Sequence, residues 1–443
     1  MLGVVDQPPS SAQPRSFVDR IGILRPLRLR DFRLLWIGST VSFIGDGIYV
    51  VAMALQVLEL SNRAGTLAYV GIAWATPQVA LSLVSGALSD RIDRRRLMIA
   101  GDLIRLAAIS AIGVLSILGT LTVPLVIVLV VVFGIGQSAF GPSFSAITPS
   151  IVPENLLVEA NGLGQFARPV ALLMLGPIFG GLLVGVFGPG WAFILDGATF
   201  AWSAVMIYLM RVRTESKGDT SVAAVWLEMK AGLRYVLETR WLAVGMFAAT
   251  VSLFVVWGPW ETLVPYIVKN DLVVDPADEG LFLGLVFGAG GVGALLAGLV
   301  MGQRSSLPRK PIVWLYGTWA LGMFVTAGFG IATEVWHAMV FSFVAEGSIG
   351  ILIVIWFTLL QRLVPIEMLG RVTSLDWMIT ISGVPLSFAV VGPAADTFGA
   401  DPVMIWAGVI GGLITIAFLF VPGARDPERD GSLETPIASP TGG

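Results

Sequence analysis

The sequence predicts an all-α polytopic membrane protein, with twelve transmembrane helices in two pseudo-symmetric six-helix halves. Three observations carry that prediction. Of the 443 residues 56% are hydrophobic and 13% charged, against roughly 25% charged in an ordinary soluble domain. Apolar runs long enough to span a bilayer, roughly 20 residues, recur along the whole chain between short polar or Gly/Pro-bearing breaks. A segment of the first half also returns in the second. SIVPENLL at 150–157 and RLVPIEML at 362–369 each lead into a run that holds a Gly-Pro pair, Gly176-Pro177 and Gly392-Pro393.

Residues 1–33 read as a cytoplasmic segment with no signal peptide, since no short apolar core precedes a small-residue cleavage site. The expected spans of the first half, 34–211, are 34–58, 66–88, 97–118, 123–147, 161–187 and 190–211. Those of the second half, 241–421, are 241–268, 279–302, 311–333, 336–361, 372–398 and 402–421. Long apolar runs, rather than alternating ten-residue strands, call for helices, because a backbone in hydrocarbon must satisfy its own hydrogen bonds. Between the halves, 212–240 is a cytoplasmic linker. Its stretch VAAVWLEMKAGLRYVLE has one apolar face with Glu228, Lys230 and Arg234 on others, the pattern of an interfacial helix. The tail 422–443 is rich in Pro, Gly, Ser and acids and is expected to be disordered.

Basic residues fix the orientation. With the N-terminus inside, the even-numbered loops carry Arg91, Arg94, Arg95, Arg96, Lys230, Arg309, Lys310 and other cations, whereas the odd loops hold Arg63 and Lys269. That bias is the positive-inside rule and puts both termini in the cytoplasm of a bacterial-type inner membrane.

Composition also excludes chemistry. The chain has no cysteine and one histidine, His337, so a thiolate nucleophile, a disulfide or a histidine metal cluster is out of reach. No metal, no cofactor and no enzyme activity are expected. A net charge of −3 leaves no concentrated basic face for nucleic acid. Gly288-Ala289-Gly290-Gly291-Val292-Gly293 matches a dinucleotide fingerprint as a string, but it lies inside a span with no preceding strand and reads as helix packing. No phosphate-binding Gly-Lys-Ser/Thr loop is present to support ATP-driven work.

The loop between spans two and three reads GALSDRIDRRRLM, Gly86 to Met98. It resembles the signature loop of the major facilitator superfamily, G-x-L-x-D-R-x-G-R-K-x-x-L. Gly86, Leu88, Asp90, Arg91 and Arg94 match in place, Arg95 replaces Lys, Asp93 replaces the second Gly and Met98 replaces Leu. The resemblance implies a cytoplasmic gate in which Asp90, Arg91, Arg94 and Arg95 latch the halves, Asp90 facing the start of span eleven near Gly370 and Arg371. Span five holds Gly176-Pro177-Ile178-Phe179-Gly180-Gly181, similar to the Gly-Pro-x-x-Gly-Gly core of the antiporter motif of drug and proton exchangers, with Leu172 where a further Gly is usual. Proline removes a helix hydrogen bond and glycines allow close helix contact, so Gly176, Pro177, Gly180 and Gly181 are expected to form a bent, tight element between the halves. DLIR at 102–105, VPENLLVEANG before span five and VPIEMLGRV before span eleven extend the likeness, over residues 30 to 420, to the branch of macrolide and siderophore exporters.

Charges at membrane depth are the best markers of a site, because one at a helix centre costs about 2.5–3.5 kcal/mol on insertion scales. Asp46 lies midway along span one, Glu261 in the outer half of span seven and Glu346 near the middle of span ten. The superfamily resemblance implies that spans one, four, seven and ten line a central cavity, and so places these three carboxylates at one site. A carboxylate in such a cavity can take up a proton from one side and release it on the other, in competition with a cationic cargo. Trp257, four residues before Glu261, offers an aromatic face to a lipophilic cation. Span four supplies only Gln137 where many proton-coupled relatives have an arginine. Asp102, Arg105 and Arg168 read as a structural charge network.

The sequence thus reads as a secondary exporter of amphipathic drugs or natural products, exchanging them for protons as a monomer in the bilayer by rocking of its halves. Siderophore export or lysophospholipid movement on the same fold is the nearest alternative, and a membrane receptor or sensor without transport the alternative of another class.

Overall fold

The computed structural model describes residues 22–91, 93–212, 222–304 and 307–430, and the described residues are helical, with no strand. The bundle helices are α1 (Arg30–Leu60), α2 (Ala64–Arg91), α3 (Arg94–Ile117), α4 (Val123–Ile151), α5 (Leu157–Arg168, a π-helical stretch Pro169–Leu175, then Gly176–Phe187) and α6 (Pro189–Tyr208). After them come α7 (Arg240–Ile267), α8 (Glu279–Gly302), α9 (Pro311–Thr326), α10 (Val335–Leu363), α11 (Ile366–Ile381 and Val384–Phe398) and α12 (Ala400–Phe418). Among the described residues eleven helices are long and apolar enough to cross a membrane. The remaining one, α2, has 28 residues, about 42 Å at roughly 1.5 Å per residue, and so has the length.

Helix ends follow local chemistry. Asp93, which departs from the signature pattern, is the N-cap of α3, its side chain accepting the Arg96 N–H at 3.2 Å, which satisfies a donor the helix leaves unpaired. Asp31 at the start of α1 accepts the N–H groups of Arg211 and Val212 at 3.0 and 2.9 Å, tying the exit of α6 back to α1. Glu428 does the same in the second half, accepting the N–H groups of Ile312 and Val313 at 2.7 and 3.1 Å where α9 begins. This corrects the expectation of a disordered tail from 422: residues 422–430 are turns and a short helix, Asp426–Arg429, and the tie to α9 holds them. The rest of the tail, 431–443, lies outside the described residues, as do 1–21 and 213–221. Glu428→Ala removes an acceptor from two N–H groups and is expected to cost about 1 kcal/mol, read as a lowered thermal midpoint of the purified protein.

The linker contains a helix, Val222–Glu238. Val236 is buried in the second-half core with Trp241 and Leu375, and a Cβ at Gly232 would meet Leu375 and Arg371, so this helix packs on α7 and α11.

The apolar cores show how the halves meet. At the end of the bundle far from Gly22 and Asp430, one core joins both halves: Ile48 to Leu58 of α1, Leu67 of α2 and Phe193 of α6 pack with Leu263 and Ile267 of α7, Leu283 of α8 and Met404 of α12. At the terminal end the described residues form separate cores. Leu35, Met98, Phe140, Ile147 and Ile207 belong to the first half alone, and Trp241, Leu315, Tyr316, Ile355 and Leu360 to the second. Two helix pairs, α5 with α8 and α2 with α11, carry most of the contact between the halves. At the far end the Asn62 amide also donates to Asn270 Oδ1 at 2.7 Å, from the α1–α2 turn to the end of α7.

Candidate functional site

Glycines allow the α5–α8 contact to be backbone on backbone. A Cβ on Gly181 would lie 2.2 Å from the Gly280 carbonyl oxygen, and one on Gly284 would lie 2.5 Å from that of Pro177. Leu173, four residues before Pro177, lacks the usual backbone donor for its carbonyl, and the π-helical stretch around it absorbs the register change. That carbonyl lies against α8, where a Cβ on Gly291 would approach it to 2.4 Å. The expectation that the whole Gly-Pro-x-x-Gly-Gly element lies between the halves needs correction. Gly176 and Gly180 pack on Gly47 and Ile48 of α1 in their own half, and Gly181 is the glycine of the motif that meets the other half.

Beneath the far-end core lies a charged cluster of the first half. Arg105 is 1% exposed and pairs with Asp102, 0% exposed, through a short contact one helical turn away. Its other nitrogen donates to Gln137 Oε1 of α4 at 2.8 Å, and its guanidinium sits 4.4 and 4.3 Å from the ring centroids of Phe140 and Phe200. Aromatic faces and two acceptors hold this guanidinium where no water could. Gln137, expected at a cavity wall, therefore belongs to this network. Asp46 of α1 lies half-buried within electrostatic reach of Arg105 and of Arg168 on α5, whose guanidinium is 5.7 Å from the Phe43 ring.

A second acid group belongs to the other half. Glu261 of α7 and Glu346 of α10 are within reach of each other's charge, and Glu346 lies against α8, where a Cβ on Gly290 would meet its Cγ at 2.9 Å. Tyr49 stands between the groups: its hydroxyl feels the charges of Asp46 and Glu261, and its ring stacks on Phe133 at 5.0 Å. Trp257 packs with Ala75, Val384 and Phe388 between α2 and α11, its indole N–H buried without a protein partner. Among the described residues no cluster of three or more metal-ligating side chains occurs.

The signature loop is only partly described. Gly86, Asp90 and Arg91 lie at the end of α2, with side chains outside the described residues. Arg94 donates to Ser150 Oγ of α4 at 3.3 Å. Arg95 donates to the carbonyls of Ile207, at 2.9 Å, and of Tyr208. It thus closes the C-terminus of α6, where a cation complements the helix dipole. The contacts described for Arg94 with Ser150 and for Arg95 with Ile207 and Tyr208 lie within the first half.

Two acids went unnoticed in the sequence. Asp196 of α6 is 0% exposed and feels the charge of Asp46. Asp376 of α11 is buried and accepts the Trp356 indole N–H at 3.0 Å, Trp356 standing edge-on to Trp241. The signal was available, since each is an acid within an apolar span. Spans six and eleven, which carry them, are not among the spans one, four, seven and ten that the resemblance places at the cavity.

Comparison with known proteins agrees with this architecture. A family model described as transmembrane secretion effector matches residues 21–432. Macrolide efflux protein A of Streptococcus pyogenes is 24% identical over 394 residues, 88% of this chain and 94% of that protein. Multidrug efflux pump Tap of Mycolicibacterium fortuitum is 25% identical over 412 residues, 90% and 97% of the two chains. Macrolide efflux protein A of Enterococcus faecalis is 26% identical over 311 residues, 68% and 92%. A helical bundle with acids at membrane depth and a match over nearly its whole length make this chain a member of the transmembrane secretion effector family of major facilitator transporters, and not an enzyme.

Proposed function

We propose that the protein exports amphipathic, cationic drugs or natural products in exchange for protons, alternating the access of one site between the two sides of a bacterial inner membrane. The observation that carries this reading is that carboxylates of both halves, Asp46 and Glu261, act on Tyr49 between them, with Glu346 within reach of Glu261. Carboxylates there attract a cation and compete for it with protons. Separate terminal-end cores fit a site facing that end, and with both termini cytoplasmic by the positive-inside rule, that is the cell interior. Export rather than import is favoured by the efflux names of the relatives and by the Gly176–Gly181 element. Signature-loop residues Asp90 and Arg91 act as the latch that closes the terminal end, with the chain working as a monomer.

Everted vesicles test the reading. An imposed proton gradient is expected to drive uptake of a macrolide or a cationic dye and to be dissipated by it. Asp46→Asn and Glu346→Gln are each expected to lower gradient-driven uptake by about tenfold or more, the cost of roughly 1.4 kcal/mol of lost coupling, while binding in the absence of a gradient persists. Uptake indifferent to the gradient would overturn the exchange, and full coupling in both variants would overturn the site.

A further inference from the structure

The acid cluster of the first half holds more negative charge than its arginines compensate. The charged and titratable groups within electrostatic reach of Asp196 are Asp46 and Tyr49 from α1 and Arg105 from α3, while Asp102 from α3 and Arg168 from α5 complete the cluster through Asp46. That makes three carboxylates and two guanidiniums. Arg105 is committed to Asp102, both being fully buried. Arg168, itself exposed, acts on Asp46. Asp196 is left without a cation of its own.

Nor do hydrogen bonds replace one. The Thr199 hydroxyl donates to the backbone carbonyl of Asp196 at 2.7 Å and reaches Asp196 Oδ1 only at 3.4 Å. Oδ2 is buried with no protein partner. The carboxylate is pressed onto α1 beside Asp46, since a Cβ on Gly45 would lie 2.4 Å from Oδ1. Helix α1 offers no free N–H at that point, because its backbone donors serve its own ladder. An ionised carboxylate buried with one long hydroxyl contact and only a share of a cation already paired elsewhere is strongly disfavoured. The one partner that needs no further room is a proton.

We propose that Asp196 and Asp46 form an acid pair that binds one exchangeable proton in the first half and releases it when a cation occupies the Glu261–Glu346 group of the second. The proposal rests on the exchange reading above and deepens it: the proton and the cargo occupy different halves, and Tyr49, within reach of Asp46, Asp196 and Glu261, lies between them. Release leaves the pair as two carboxylates facing Arg168 and Arg105, a state favoured only when cargo charge is nearby.

The test is proton release on binding. Tetraphenylphosphonium is added to purified, weakly buffered protein in detergent, and a pH-indicator dye reads the protons set free. The wild type is expected to release about one proton per chain, a pair titrating as a unit rather than as two sites. Asp196→Asn is expected to release markedly fewer protons, to bind tetraphenylphosphonium still, and to lose affinity on acidification less steeply than the wild type. Asp196→Glu is expected to restore release. If the wild type releases no proton, the exchange reading itself fails. If Asp196→Asn releases as many protons as the wild type, exchange stands and the assignment of Asp196 falls. A failure of Asp196→Asn to fold would also overturn it, since asparagine copies the shape and neutrality of the protonated acid the proposal places there.

Discussion

Arg105→Ala is expected to cost about 3–5 kcal/mol of stability, because removing one member of a buried ion pair strands the other. Asp102 is 0% exposed and has no other cation in contact, and its second carboxylate oxygen already lacks a protein partner. The same change empties the space between the Phe140 and Phe200 rings, which the guanidinium fills, and leaves Gln137 Oε1 without its donor. Thermal or denaturant unfolding of the purified protein measures the loss. The neutral pair Asp102→Asn with Arg105→Gln is expected to recover much of it, because the main penalty is a lone buried charge rather than the missing contact. A single variant as stable as the wild type would mean that the pair is solvated and not part of the core.

Gly181→Leu is expected to abolish transport and to prevent closure of the far end. The obstruction is backbone: the Gly280 carbonyl oxygen would be 2.2 Å from the new Cβ and the Gly284 Cα 3.1 Å, so no rotamer of the added side chain relieves it and α5 must move away from α8. Helices that pack through small residues in a bilayer depend on this close approach. Gly298→Ala in α8 is the control, with nothing within 4 Å of its added Cβ, and is expected to leave transport unchanged with a slight gain in helix stability. Transport assays and spin-label distances between α5 and α8 check both variants. Normal closure in Gly181→Leu would overturn the assignment of this contact.

The spans could be read from the sequence because lipid imposes them on short windows of chain, and α8 and the start of α4 begin at the expected residue. Less visible were features set by partners distant in sequence. Helix α11 starts at Ile366 rather than at 372, because its first two turns carry Glu367 and Arg371 rather than an apolar run, Arg371 lying against the linker helix at Gly232. The π-helical stretch of α5 depends on Pro177 and on the nearness of α8, which no local pattern announces. Asp46, Glu261 and Glu346 stood out as acids in apolar runs. Asp196 had the same mark, but its weight comes from Gly45, 151 residues earlier, admitting its carboxylate beside Asp46. Glu428 read as part of a solvated tail, because its acceptors' partners at the start of α9 are more than a hundred residues away.

The separate terminal-end cores, set against the single far-end core, bear on leakage. A carrier that exchanges cargo for protons loses the gradient it lives on if both ends open together. Here each half keeps its own apolar filling at the terminal end, so under the proposed alternation the halves would swing as preformed bodies, and the far-end core would come apart as the terminal ends met. Under the proposed exchange, a short circuit of the membrane would require the far-end core to open while the terminal-end cores stayed apart, exposing the shared apolar surface with nothing gained in return. If the proposed exchange holds, the packing that closes one end is also the insulation that keeps the proton gradient usable.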